Sequence, residues 1–301
     1  MNFILRPHID VEKWDYLVAK TRYAGIYNYS YFLDSVCENW CIYVDEHYSV
    51  GIAIPFTNKL KTKLVYTPNY LRCLNLLGEI NQKKIEAILK EIKNEFSSGD
   101  LAIENLEYEL NGKTRVYQQI SRTHEIQINT LSKRMLKKFD QSQLRISSNV
   151  ELESVFSFLE SNLFQRIQGL TKSDFILFKK LIINLNNLKM LKICGVVNSQ
   201  NEFKGCSLFV QTKEKLIYIK GVASQDAMKD GAMYAMLFKN INEAHDNNLD
   251  FDFGGSNINS IKQFYSNLGG QDTLYSKIIW GNQPLYYKIA KYIYHFIGKF
   301  K

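Results

Sequence analysis

Two carboxylates, Asp250 and Asp252, alternate with apolar side chains in the run from Leu249 to Phe253. In a β-strand this alternation places both carboxylates on one face and the apolar side chains on the other. A row of carboxylates on a central strand is costly unless the groups are paired or functional. The pattern therefore predicts that Asp252 either performs chemistry or fixes the following Gly254-Gly255 turn by bonding its N–H groups.

A basic segment from Lys113 to Arg145 carries a net charge of +6. Such a patch attracts the phosphates of a nucleic acid, a nucleotide cofactor or a nucleotide-linked substrate, or it is a solvated face without a ligand. The C-terminal run 283–301 has four lysines, no acidic residue and apolar residues at helical spacing. That run predicts a helix that docks on its own protein or makes peripheral contact with an anionic membrane.

The composition excludes several classes of protein. A chain of 301 residues that is 46% hydrophobic and 23% charged is not disordered, and five cysteines do not make a disulfide scaffold. The cysteines and the five histidines form no zinc pattern, so we expect no metal. No apolar run approaches the ~18 residues of a membrane span, and the first ten residues do not resemble a signal peptide. We therefore expect a cytoplasmic protein.

The hydrophobic periodicity predicts one order of elements used twice. In the second half, the order is two helices, three strands, helix, strand, helix and strand. The predicted helices cover 151–164, 173–188, 227–247 and 257–268, and the predicted strands cover 189–197, 203–211, 216–222, 249–253 and 273–280. Ser173 or Asp174 is the predicted cap of the second of these helices.

The first half repeats this order, with predicted helices at 11–20, 29–37 and 85–96 and strands at 3–5, 40–44, 48–54, 64–66 and 101–106. The alternating run from His124 to Leu131 predicts a strand that opens the second copy. We therefore expect an α+β protein with two tandem lobes, residues 1–120 and 121–301, each a mixed sheet flanked by helices. The basic segment then falls between the lobes, where a ligand often binds.

Two patches of sequence carry a family resemblance. Asp252-Phe253-Gly254-Gly255-Ser256, followed by Phe264-Tyr265 and Gly269-Gly270, resembles the D-F-x-G-S…F-Y-x-x-x-G signature of tandem GNAT proteins related to the Fem peptidyltransferases. The run from Trp14 through Tyr29–Asp34 to Trp40, Tyr48 and Ile54-Pro55 resembles the first lobe of FemAB-like GNAT proteins common in Bacteroidetes. The predicted element order is that of the GNAT fold in both lobes.

This resemblance implies an N-acyltransferase with its site in the second lobe and the cleft between the lobes. Ordinary GNAT enzymes take an acyl group from acyl-CoA, and Fem enzymes take an aminoacyl group from charged tRNA. Both hold the acyl carbonyl where a strand pair separates and exposes backbone N–H groups. Coenzyme A and charged tRNA are therefore alternative donors, the acceptor is a small-molecule or peptide amine, and no metal is required.

The resemblance also assigns roles to residues. Tyr265, with Gly269 four residues later, matches the GNAT tyrosine that protonates the leaving thiolate, or it is a core tyrosine. Asp252 would orient the acceptor amine or act as base. Gly254, Gly255 and Ser256 would contact substrate. Ser256 and Asn257 would cap the next helix, or Asn257 would touch the donor. In the first lobe, Asp34, Trp40 and Tyr66 would line the acceptor cleft.

The coenzyme A phosphates would bind at the start of the long second-lobe helix. The residues matched there are Val222, Ala223, Lys229, Gly231 and Ala232, with Asn257 nearby. Gly231-Ala232 fits the end of the GNAT signature R/Q-x-x-G-x-G/A, but the first glycine is out of register, and Asp226 and Asp230 add negative charge. Close packing of helix on sheet also explains Gly231.

Three other functions stay open. One is a Fem-type peptidyltransferase that depends on aminoacyl-tRNA. Another is a degenerate GNAT protein that binds a ligand or nucleic acid without chemistry. The last is a peripheral membrane protein that acts on lipid-linked amines through its C-terminal helix.

Overall fold

The computed structural model describes residues 1–59, 62–104, 108, 110–164, 171–255 and 258–281. The chain divides into two compact units. The first contains Met1–Arg115 and the chain from Tyr275, and the second contains Val116–Leu274. The chain therefore passes from the first unit to the second at Val116 and returns to the first unit at Tyr275.

A mixed sheet flanked by helices forms the first unit. Its elements are β1 (Asn2–Leu5), α1 (Val11–Lys20), α2 (Ser30–Val36), β2 (Asn39–Val44), β3 (Gly51–Lys59), β4 (Thr62–Val65), α3 (Gln82–Glu95), β5 (Ser98–Ile103), the start of β6 (Lys113–Ile120) and the end of β12 (Gln271–Trp280). The strands from β1 to β5 are neighbours in chain order, followed by β12. All these neighbours are antiparallel except β4 and β5, which are parallel.

The second unit has the same kind of architecture. Its elements are α4 (Thr130–Asp140), β7 (Arg145–Ser147), α5 (Leu152–Asn162), α6 (Lys172–Asn187), β8 (Leu191–Val197), β9 (Phe203–Gln211), β10 (Lys215–Ala223), α7 (Gln225–Lys229), α8 (Ala232–Asp246), β11 (Asp250–Asp252) and α9 (Asn259–Asn267). Its strands follow the order β6, β11, β10, β9, β8, β7. Only β10 and β11 are parallel. The prediction of an α+β protein with mixed sheets flanked by helices is confirmed.

The predicted strand from His124 to Leu131 is wrong. The strand of this region is β6, which ends at Ile120, and α4 begins at Thr130. Asn129 caps α4 by accepting the N–H of Ser132 at 2.9 Å. An asparagine at this position favours the start of a helix over a continuing strand. The alternating pattern before Asn129 therefore does not form the predicted strand.

Two predictions about helix starts also need correction. Thr171 caps α6 in a capping box with Asp174, whereas Ser173 or Asp174 was the predicted cap. The predicted helix 227–247 is divided into α7 and α8 because Gly231 adopts a φ of 86°. An α-helix cannot continue through this left-handed conformation, and glycine adopts it without a steric penalty.

The compact units differ from the predicted lobes in one respect. The final strand, β12, belongs to the first unit from Tyr275 onward, although it closes the predicted second lobe. Residues 1–120 and 121–301 stay a prediction as functional lobes. The predicted C-terminal helix in 283–301 lies outside the described residues.

Candidate active site

The parallel strands β10 and β11 of the second unit separate soon after they meet. Their pairing ends at Ile217 and Asp252, although β10 continues to Ala223. A bulge between Tyr218 and Lys220 shifts the register of β10 against β9 at the same place. From Tyr218 onward, this edge of β10 has no strand partner among the described residues. We call this opening the β10–β11 gap; backbone N–H groups on such an edge can bind a developing negative charge.

Gly254 determines where the chain turns away from β10. Its φ is 75°, and a Cβ at this position would collide with the carbonyl oxygen of Tyr218. Asp252 is fully buried, and its Oδ1 accepts the N–H of Gly254 at 2.8 Å. This bond is the turn-fixing role that the sequence offers as one alternative for Asp252, and a role as base stays a prediction.

The two faces of the sheet beside the gap differ in character. Tyr218 pairs with Phe209 and belongs to the apolar cluster under α8. Because the bulge adds one residue, Lys220 pairs with Leu208 and lies on the opposite face. The registers place Asp252 on that same face as Lys220, which is the side away from α8.

Tyr265 lies on the α8 side of the gap and is 7% exposed. Its ring stacks on Phe253 at 4.8 Å and meets the edge of Tyr218 at 6.2 Å. Burial and the charge of Asp252 raise the pKa of the phenol. Its hydroxyl makes no hydrogen bond with any described residue. The two predicted catalytic residues therefore lie at the same gap but on opposite faces of the sheet, with Tyr265 on the α8 side and Asp252 on the other.

Lys220 is a candidate site residue that the sequence reasoning missed. Its side chain is half-buried, and no described carboxylate or hydrogen-bond acceptor pairs with it. Burial lowers the pKa of its ammonium group. The available signal was one lysine within the otherwise apolar run from Leu216 to Ala223. The bulge that sets its direction has no signature in the sequence.

The predicted phosphate site is largely filled by α4. The main-chain carbonyl of Met135 packs against Gly231, where a Cβ would collide with it. Lys138 reaches the same turn and donates to the carbonyl of Lys229 at 2.7 Å, and it forms an ion pair with Asp230 at 3.2 Å. Close packing therefore accounts for Gly231.

The other predicted donor-binding residues offer little to a phosphate. Val222, Ala223 and Ala232 have buried apolar side chains. Lys229 is exposed and lies 3.9 Å from Asp226. Ser256 and Asn257 lie outside the described residues, and Gly255 has a φ of 81°.

The predicted acceptor residues of the first unit have partners within the protein. Arg6 contacts both oxygens of Asp34 at 2.7 Å, and the indole N–H of Trp40 donates to Asp34 Oδ1 at 2.8 Å. The hydroxyl of Tyr66 accepts the N–H of Glu38 at 3.0 Å. These contacts join β2 to α2 and to the chain after β1, and the role of the three residues in an acceptor cleft stays a prediction.

A cavity of about 370 Å³ in the first unit has different walls. Asn75 and Glu104 are its most buried polar residues, and Arg22 and Tyr23 lie at its exposed side. None of the three predicted acceptor residues lines it.

The gap between the parallel strands of the first unit is closed by the chain itself. The pairing of β4 with β5 ends at Val65 and Gly99. Beyond it, the N–H of Leu74 donates to the carbonyl of Ala102 at 2.9 Å, and the carbonyl of Leu74 accepts the N–H of Glu104 at 2.8 Å. Leu74 is fully buried. We call this contact the Leu74 plug; it occupies the β5 side of the gap.

Much of the basic segment forms the outer face of α4. Lys133, Arg134, Lys137 and Lys138 are exposed on this helix. Of these four, Lys138 alone has an ion-pair partner within the described part of the chain. Within the described ranges there is no cluster of three metal-ligating side chains and no helix long and apolar enough to span a membrane.

Comparison with solved structures identifies the class of fold. The fold of this chain, with a separated pair of parallel strands in each unit, is similar to those of FemX and of a tandem GNAT protein from the clavulanic acid biosynthesis pathway. No family model matches this chain, and no curated protein matches it.

FemX aligns over 96% of this chain and 100% of its own, with a TM-score of 0.64 and 12% identity. L-PGS from Bacillus licheniformis aligns over 93% and 95%, with a TM-score of 0.54 and 11% identity. The tandem GNAT protein aligns over 94% and 99%, with a TM-score of 0.51 and 9% identity. The chain therefore has the FemAB-like tandem GNAT fold that its sequence motifs predict.

Proposed function

We propose that this chain transfers an acyl or aminoacyl group to an amine, with the reacting carbonyl held in the β10–β11 gap. The observation that carries this proposal is the edge of β10 from Tyr218 to Ala223, which lacks a described strand partner and lies beside the phenol of Tyr265. The fold shared with FemX, L-PGS and a tandem GNAT protein supports the same class of reaction.

In this reaction the amine nitrogen attacks the carbonyl carbon of the donor. A C–N bond forms, and the bond from the carbonyl carbon to the leaving sulfur or oxygen breaks. The amine gives up one proton and the leaving group gains one. Backbone N–H groups of β10 stabilise the negative charge on the carbonyl oxygen, and Tyr265 returns a proton to the leaving group.

The environment of Tyr265 favours an ester donor over a thioester. A phenol whose pKa lies above its ordinary value of 10.0 is a weak acid. It transfers a proton poorly to a thiolate, since thiols have pKa values near ~8.5, and better to the far more basic oxygen that an ester releases. This match supports an aminoacyl ester, the bond that charged tRNA carries, as the donor.

The predicted phosphate site supports the same choice. Met135 and Lys138 of α4 occupy the turn at Gly231, and Asp226 and Asp230 place negative charge there. The exposed cations on α4 offer a broader surface, which suits an RNA backbone better than a single pyrophosphate.

The test compares two donors, a mixture of radiolabelled aminoacyl-tRNAs and acetyl-CoA, each with a panel of amine acceptors. We expect the chain to release aminoacyl groups from tRNA in an amine-dependent way and to leave acetyl-CoA unchanged. Tyr265→Phe should slow this release, and the matched Tyr43→Phe change in the first unit should not. Consumption of acetyl-CoA alone would make coenzyme A the donor, and inactivity with both donors would contradict transfer.

A further inference from the structure

Lys220 differs from two other partly buried lysines of the protein, which have ion-pair partners. Lys192 forms an ion pair with Glu243 at 2.6 Å, and Lys277 forms one with Asp100 at 2.9 Å. Lys220 has no such partner among the described residues, although it is half-buried in the middle of the sheet. An ammonium group in this environment loses hydration without a compensating charge. The lowered pKa of Lys220 reflects that loss.

The position of Lys220 connects it with the β10–β11 gap. It is the first residue after the bulge, two positions beyond Tyr218, where β10 runs without β11 beside it. Its four-carbon side chain carries the charge away from the backbone edge.

The face on which Lys220 lies indicates which substrate it meets. The α8 side of the sheet carries Tyr265 and the predicted donor turn at Gly231. Lys220 lies on the other side, with Leu208. A donor that enters the gap from the α8 side leaves the side of Lys220 for the attacking amine.

We propose that Lys220 is a specificity-determining residue that binds an anionic group of the acceptor, a phosphate or a carboxylate carried by the same molecule as the reacting amine. This proposal rests on the proposed function. The acceptor is then an anionic amine, such as an amino acid, a peptide or a phosphorylated amine. Binding of its anion supplies the charge that the described residues do not provide to Lys220.

The experiment measures equilibrium binding by calorimetry, so it does not depend on turnover. Two pairs of probes differ only in the anion: phosphoethanolamine with ethanolamine, and β-alanine with propylamine. Wild-type protein is compared with Lys220→Met, which keeps the length of the side chain, with Lys220→Arg, which keeps the charge, and with Lys213→Met as control. Lys213 is exposed in the turn between β9 and β10.

We expect wild-type protein to prefer an anionic probe, and Lys220→Met to weaken its binding about 10- to 100-fold, the range for a hydrogen bond to a charged group. Lys220→Arg should retain most of the binding, and Lys213→Met all of it. A preference for phosphoethanolamine assigns a phosphate, and a preference for β-alanine assigns a carboxylate. Thermal unfolding checks that Lys220→Met is folded.

Two results would overturn the proposal. One is equal binding of charged and neutral probes by wild-type protein. The other is a loss of affinity in Lys220→Met that is equal for the charged and the neutral probes. Failure of the proposed function gives a different result, since anionic probes would then bind through Lys220 while no donor releases its acyl group.

Discussion

The two units use the same element order but treat the gap between their parallel strands differently. In the first unit, Leu74 forms backbone hydrogen bonds with Ala102 and Glu104 on the β5 side of the gap, and on the β4 side the N–H of Thr67 donates to Asp100 Oδ1 at 3.2 Å. In the second unit, the β10 side of the gap has no described strand partner from Tyr218 onward. The first unit therefore fills its gap with its own groups, and we expect only the second to offer backbone N–H groups to a reacting carbonyl. Chemistry is therefore expected in the second unit, with the first as its structural counterpart.

The largest effect should come from Gly254→Ala in the open gap. The new Cβ collides with the carbonyl of Tyr218, and a φ of 75° is strained for alanine. We expect the transfer rate of the folded protein to fall on the order of 10³-fold, as when an oxyanion-binding donor is misplaced.

The matched control for this change is Gly78→Ala in the first unit. Gly78 has a φ of 84° and is packed against the carbonyl of Ser49. Both variants should lose stability in urea unfolding, but only Gly254→Ala should lose turnover per folded molecule. Equal turnover per folded molecule in Gly254→Ala and Gly78→Ala would contradict the assignment of the chemistry to the gap of the second unit.

Leu74→Ala tests the closed gap. Leu74 is fully buried, and truncation of a buried leucine destabilises a protein by about 2–5 kcal/mol. We expect a loss of about 3 kcal/mol in denaturant unfolding without a change in kcat for the remaining folded protein. A fall in the kcat of the folded Leu74→Ala protein would instead place the chemistry in the first unit.

Tyr265→Phe keeps the ring that stacks on Phe253 and removes only the hydroxyl. We expect kcat with an ester donor to fall about 10²-fold, the usual contribution of a general acid. The unfolding midpoint should change little, because the hydroxyl has no hydrogen-bond partner among the described residues. If turnover is intact, Tyr265 is a core residue and the open gap functions without an acid.

The smallest effect concerns pH and Lys220. Its pKa in the folded protein lies below the ordinary 10.5, so between these two values the unfolded chain binds more protons. Stability therefore rises with pH through this window. The free energy of unfolding of wild-type protein, measured in urea titrations, should therefore approach that of Lys220→Met as the pH rises from 7 to 10. A constant difference would show that Lys220 is as well solvated as a surface lysine.

Most of the fold was predictable because long apolar patterns dictate it. β9 runs from Phe203 to Gln211, the range predicted from its β-branched and aromatic residues. The hydrophobic pattern gave a wrong prediction where a polar helix, α4, follows an alternating stretch. In α4, only Ser132 and Phe139 are buried, and the rest of its surface is largely charged. Its cap at Asn129 was the available signal.

The site was predictable only in part. Asp252 and Tyr265 belong to a local motif, so the sequence locates them without knowledge of the fold. The roles of Lys220 and Leu74 depend on contacts that no local pattern encodes. A bulge in β10 turns Lys220 to its face, and the Leu74 plug joins residues separated by about thirty positions along the chain. Such pairings appear only when the strands are placed side by side.

The return of the chain to the first unit has a consequence for biosynthesis. The residues of β12 that border β5 run from Ser276 to Trp280, so the ribosome makes them after the whole of Val116–Leu274. Until then, the first unit of the nascent chain exposes the unpaired edge of β5 to solvent or to a chaperone. The second unit can therefore fold first, and the first unit is completed last, which reverses the order of translation.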